Sequence, residues 1–262
     1  MTFKYCRYLD PASAETRYGF VEGEAIFPIA LAQLFADTAA PVAVGDSVPL
    51  ASVRLLAPVE PSKIVCVGRN YRDHAAELGN PMPDEPLLFL KPPSSVVGHG
   101  DAIELPPVSA RVEHEGELGV VIGRSARRLS DSENPLDYVL GYTCVNDVTA
   151  RDLQRRDVQF TRAKSFDTFC PFGPYIVSGL DPFDLQVETR VNGDVRQRGR
   201  TSAMAFPVSY LIRYISHIMT LEAGDVISTG TPSGVGPLAD GDVVEVEVEH
   251  VGVLGNPVRA GR

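Results

Sequence analysis

The sequence predicts a β-rich mixed α/β fold. Short apolar runs far outnumber helical patterns, the tail GDVVEVEVEHVG alternates valine with glutamate, and one segment alone carries a long apolar stripe at helical spacing. Phe3 to Tyr8 and Tyr18 to Val21 read as strands, and Glu22-Gly23 as a turn into Ala25–Phe27. PIALAQLFAD starts with Pro28 at a plausible first helical position and predicts a short helix. VRLLAPVEPSK ends in two prolines and marks a boundary, giving a small β-rich N-terminal unit at 1–58 and a main domain at 59–262. KIVCVGRNY is a strand running into a loop, and YRDHAAELGNP a short helix stopped by Gly79-Asn80-Pro81. EPLLFLKP, VEHEGELGVVIG and YVLGYTCVND are strands, the last followed by the polar helix TARDLQRRDVQ. From Pro207, Val208, Leu211, Ile212, Ile215 and Met219 form a helical stripe, beside which His217 reads as structural.

The chain has 262 residues, a formal charge of -10 and a pI near 5.0. That balance argues against a nucleic-acid binder, which needs a basic footprint. It leaves an anionic metabolite open, because local cations or a metal reverse the sign inside one pocket. Cys6, Cys66, Cys144 and Cys170 have neither zinc-ribbon nor disulfide-scaffold spacing, and read as small buried hydrophobes in a reducing compartment. No stretch approaches the roughly 20 apolar residues of a membrane span. The start MTFKYCRYLD has no apolar signal core, so the expected compartment is the cytoplasm.

Glu115 and Glu117 stand two apart on a predicted strand, so both side chains leave on one face. Two carboxylates so placed can share a hard cation, or they can line a solvated face. Glu245, Glu247 and Glu249 repeat the spacing with valines between them and read as the wet side of a sheet, so spacing alone does not decide. The face opposite Glu115 and Glu117 carries His114, Gly116 and Leu118, which is not a clean apolar row. Asp147 sits where a strand leads into a helix. Three carboxylates plus waters suit Mg²⁺ or Mn²⁺. His74 and Glu77 are three apart on one helix face, a spacing that lets a carboxylate orient an imidazole. Arg151 and Gln154 share a helix face just after Asp147. The loop TGTPSGVG lacks the lysine of a phosphate-binding loop.

EHEGELGVVIG, VNDVTARDLQ, AKSFDTFCPFGP and STGTPSGVG resemble, in that order, the core of the fumarylacetoacetate hydrolase family, from about Lys63 to the C-terminus. The resemblance implies a distorted β-roll in which Glu115, Glu117 and Asp147 hold Mg²⁺ or Mn²⁺. It implies a His74–Glu77 acid–base dyad on a lid helix, with Gly68 and Gly79-Asn80-Pro81 as hinges. Lys164 matches the catalytic lysine, Thr231 a contact to the substrate carboxylate, Arg151 and Gln154 substrate-binding groups, and Arg69 a candidate for the distal group. The founding hydrolase has a further aspartate ligand where this chain has Val67, which disfavours fumarylacetoacetate itself as substrate.

The expected partner is a small anionic 2-keto acid, and the family implies a homodimer. Three reactions share an enolate stabilised by the cation. They are hydrolysis of a 2,4-dioxo acid such as fumarylpyruvate, ranked first, then oxaloacetate decarboxylation, then 2-hydroxyhepta-2,4-diene-1,7-dioate isomerisation. A silent metabolite-binding protein is the alternative from another class.

Overall fold

The computed structural model describes residues 1–36 and 40–261. A twelve-stranded sheet forms the frame. From one edge its main path runs Val48–Pro49, Ala25–Ile29, Thr16–Glu22, Lys4–Leu9, Cys170–Val177, Val139–Asn146, Gly116–Ile122, Val226–Ser228, Ile64–Gly68 and Leu87–Lys91. A five-stranded sheet, Asp194–Arg200, Gln186–Val191, Val243–Val248, Gly252–Ala260 and Ile103–Leu105, packs on one face of it. The strands of the N-terminal unit join the large sheet through Lys4–Leu9, which pairs with Cys170–Val177.

The central strand Gly116–Ile122 is buried along its whole length because it has a core on each side. Leu118, Val120 and Ile122 meet Val187, Val246, Val248 and Leu254 of the smaller sheet, while Val121 joins Ile64, Cys66, Val145 and Phe172 on the other face. The helix Val208–Ile218 lays Val208, Leu211, Ile212 and Ile215 on the first core, as its stripe predicts. His217 lies on the exposed side with Nε2 3.1 Å from Leu129 O, a structural contact. The four cysteines are free and buried, and burial pushes the thiols of Cys6, Cys144 and Cys170 up to about 12.

Two local expectations need correction. Pro28 does not start a helix. It lies within the strand Ala25–Ile29, beyond the reach of Val48–Pro49, where its missing N–H leaves no ladder bond open. The helix there is Leu31–Leu34, and Asp37, the predicted end of the segment, lies outside the described residues. VEHEGELGVVIG is also not one strand. It breaks at Glu115 into Val112–His114 and Gly116–Ile122.

Ile64–Gly68 and Val226–Ser228 run parallel, and their common start is fixed by Asp225. This buried carboxylate accepts from Ser62 N (3.1 Å), Ser62 Oγ (2.7 Å), Lys63 N (3.2 Å) and Glu222 N (2.8 Å), and pairs with Lys63 Nζ. Asp225→Ala strands these donors and is expected to cost roughly 3 kcal/mol or more, read as a lower urea midpoint.

Candidate active site

Antiparallel pairing of Gly116–Ile122 with Val139–Asn146 places Gly116 opposite Asn146. Glu115 and Asp147 therefore face each other just past the last rung, joined by the Asp147 N–H to Glu115 O bond of 2.8 Å. At the break, Glu115 N–H turns to the Asn146 side-chain oxygen (3.0 Å). Gly116 is required here, since a Cβ would lie 2.0 Å from Thr189 Oγ1. One oxygen from each of Glu115, Glu117 and Asp147 lies within 4.8 Å of the others, and all three residues are buried. Glu245 and Glu247, with the same sequence spacing, stay partly exposed and pair with Arg190.

The cations sit inside this cluster. Lys164 Nζ bridges Glu115 (2.7 Å) and Asp147 (2.6 Å), and lies 4.9 Å from the Phe89 ring centroid. Arg151 pairs with Glu115 and with Glu113 (2.7 Å), and also donates to Gln154 Oε1. Lys91, fully buried, pairs with Asp147 and donates to Val148 O (3.1 Å). Burial works to raise the Glu115 pKa, but the charges of Lys164 and Arg151 hold it well below the usual carboxylate range. Glu117 shows the opposite result. Burial, then the neighbouring Asp147 charge, push it up to about 8, although Ser228 Oγ and Gly230 N (2.8 Å) both donate to its Oε2.

The ion pairing explains the difference. Glu113 pairs with Arg111 and Arg151, Glu115 with Arg151 and Lys164, and Asp147 with Lys91 and Lys164. Glu117 has only the neutral donors Ser228 Oγ and Gly230 N, so among the described residues it is the carboxylate of the four without an ion pair and the one whose protonated form is favoured. A dication would replace a proton on Glu117 and leave the cluster with an excess of positive charge, which favours an anionic ligand. The donor set is three hard oxygens, as Mg²⁺ or Mn²⁺ requires, so the residues fit such a metal.

A cavity of about 330 Å³ opens over the cluster, lined also by Val67, Arg69, His74, Gln154, Arg155 and Thr231. His74, on the helix Arg72–Glu77, is buried, and its Nδ1 lies 3.4 Å from Glu77 Oε2. Burial lowers the His74 pKa, against the opposing charge of Glu115. Glu77 accepts from Gly234 N (3.0 Å), which ties this helix to the TGTPSGVG loop. The start of the helix is fastened as well, because Asn70 donates to Thr229 O (2.7 Å) and Phe206 O (3.0 Å). Of the two expected hinges, the Gly68 side is therefore anchored, whereas Gly79-Asn80-Pro81 lies nearer the surface. Arg69 has a φ of 56°, a left-handed conformation rare for a side chain of its size and worth a functional reading. Thr231 lines the cavity, but its hydroxyl already donates to Gly116 O (2.8 Å) and accepts from Gln197 Nε2 (2.7 Å). Arg155 is exposed and also lines the cavity.

A model of the fumarylacetoacetate hydrolase C-terminal domain matches residues 63–259 of this chain. The chain belongs to the fumarylacetoacetate hydrolase family. A second model, the Rv2993c-like N-terminal family, matches residues 3–58. The Bacillus subtilis oxaloacetate tautomerase YisK is 49% identical over 224 residues, covering 80% of this chain and 74% of that protein. The human mitochondrial oxaloacetate tautomerase FAHD2A is 43% identical, covering 95% of this chain and 81% of that one. The crystal structure of 2-hydroxyhepta-2,4-diene-1,7-dioate isomerase from Mycobacterium marinum is 44% identical with a TM-score of 0.89, covering 98% of both chains. The β-rich architecture is that of the family.

Within this family site, sequence reasoning missed Lys91, Glu113, Gln197 and Asn70. Each lies in a segment that reads as an ordinary strand or loop, and a lone lysine or glutamine carries no spacing signal. Among the described residues no helix is long and apolar enough to cross a membrane.

The raised Glu117 pKa makes dication binding proton-linked. Below about 8 the free site holds a proton that binding must release, so Mn²⁺ affinity is expected to rise with pH and level off above that value. Calorimetry in buffers of different ionisation enthalpy should show the released proton at neutral pH, and none in alkaline buffer.

Proposed function

We propose that the chain moves a proton at the carbon beside the ketone of a small 2-oxo dicarboxylate, with enol–keto tautomerisation of oxaloacetate as the reaction to test first. The observation that carries this reading is a buried histidine, kept neutral by its burial, set against a hard-oxygen cluster in a cation-rich cavity. The relatives named as tautomerases and as an isomerase support proton movement over the hydrolysis expected first from sequence.

Glu115, Glu117 and Asp147 would hold Mg²⁺ or Mn²⁺. When bound, such an ion supplies Lewis acidity that draws electron density from a ketone oxygen. The remaining work belongs to side chains. His74 donates Nδ1–H to Glu77, which leaves Nε2 as the base that takes the proton and returns it. Arg151 commits three of its five N–H groups to Glu113, Glu115 and Gln154 and so holds Glu115 in place. Gln154 keeps its amide NH₂ for a ligand oxygen, because its carbonyl is taken by Arg151. Lys164 holds Glu115 and Asp147 in place and keeps a third N–H for substrate. Arg69 and Arg155 line the cavity where a distal carboxylate would lie.

The test is to follow enol oxaloacetate by absorbance with Mn²⁺, alongside hydrolysis of acetylpyruvate and fumarylpyruvate and release of carbon dioxide. Tautomerisation is expected to be the fastest. Faster hydrolysis or decarboxylation would replace this reading with the corresponding one. Oxalate binding without any turnover would make the chain a silent binding protein.

A further inference from the structure

Gln197 is the one buried residue of the strand Asp194–Arg200, and its amide can be oriented from its backbone partners. Pro232 O only accepts and Gly116 N–H only donates, so Nε2 faces Pro232 (2.8 Å) and Oε1 faces Gly116 (2.9 Å). Oε1 also meets His114 Nδ1 at 3.0 Å, so that nitrogen must carry a proton. Nε2 also donates to Thr231 Oγ1 (2.7 Å), whose own hydrogen goes to Gly116 O (2.8 Å). All four bonds of the amide are made, and the peptide at Gly116 is gripped at both N–H and C=O. The Thr231–Gly234 turn is seated on the same strand, since a Cβ at Gly234 would lie 2.1 Å from Arg196 O.

The geometry points to Gln197 as a positioning residue that locks the backbone between Glu115 and Glu117 and fixes the polarity of Thr231. The threonine hydroxyl keeps one lone pair for the cavity, so it accepts a hydrogen bond from a ligand and does not donate one. The lock rests on the carboxylate-cluster reading only for its effect on metal binding. The polarity follows from the hydrogen bonds alone.

Two measurements test this. Nitrogen-15 NMR of the metal-free wild type should find His114 as the Nδ1–H tautomer at neutral pH. Gln197→Met should lower Mn²⁺ affinity by about 10–100-fold, the usual effect of removing a group that orients metal ligands, at a temperature where the variant is folded. A merely structural glutamine would lower the unfolding midpoint and leave the affinity of the folded protein alone. An Nε2–H tautomer in the wild type, or an affinity in Gln197→Met unchanged to within about twofold, overturns the assignment. The wild-type measurement stands whether or not the variant folds. If the wild type bound no Mn²⁺, the functional reading would fall, and the imidazole would still decide the lock.

Discussion

Glu117→Gln is expected to lose about three orders of magnitude in Mn²⁺ affinity while the metal-free protein becomes no less stable. Removing one unit charge from beside a cation costs about 4 kcal/mol at an effective dielectric of about 20, or roughly a thousandfold in affinity. The fold does not suffer because the metal-free site already holds Glu117 protonated up to about pH 8. Its two donors, Ser228 Oγ and Gly230 N, both point at one oxygen, which a glutamine carbonyl can supply. The sign of the pH effect follows. A carboxyl whose folded pKa is raised weakens folding as pH climbs from the unfolded value near 4.5, and the loss is complete by about 8. The variant lacks that loss, so at neutral pH it should have the higher urea midpoint in the absence of metal. Glu115→Gln and Asp147→Asn should behave differently, because each leaves buried cations without their partners and destabilises the metal-free protein. Equal metal affinity in Glu117→Gln and wild type would remove Glu117 from the site.

His74→Ala is expected to reduce kcat for oxaloacetate tautomerisation by about 10²–10⁴-fold, the range for loss of a general base, with Mn²⁺ affinity retained. Glu77→Gln should cost less, roughly 10–100-fold, because Glu77 orients the imidazole and does not itself touch the reacting carbon. The acid limb of the pH profile tests the same group. Burial lowers the His74 pKa, so the neutral base persists to more acidic pH than a solvent-exposed histidine allows. With Mn²⁺ kept saturating at every pH, activity should stay level through neutrality and fall only below the ordinary histidine range. A full rate in His74→Ala would assign the proton transfer to another residue.

How much of the site the sequence showed depended on the type of signal. Motif order was legible, and it placed Glu115, Glu117, Asp147, His74, Lys164 and Thr231 around one cavity. Hydrogen-bond direction was not. Thr231 lines the cavity, and its hydroxyl donates to Gly116 O while accepting from Gln197, a glutamine 34 residues away that no motif points to. Arg151 lines the cavity, and three of its five N–H groups go to Glu113, Glu115 and Gln154, partners that its helix spacing does not reveal. Lys91 lay unnoticed in an apolar strand, although it is a buried partner of Asp147 in the cluster.

By itself, the sequence determined the elements, from the stripe of Val208–Ile218 to the alternation of Val243–Val248, because side-chain periodicity is a local property. It also determined the family, since four ordered motifs are jointly specific. Spacing by itself did not separate the two glutamate pairs, and the tertiary structure alone gives the physical difference between them. Glu115-x-Glu117 and Glu245-x-Glu247 are the same pattern in the chain, but a second sheet, three buried cations and the Asp147 strand end enclose the first pair. Desolvation and convergent charge come from residues distant in sequence, and no local spacing encodes them.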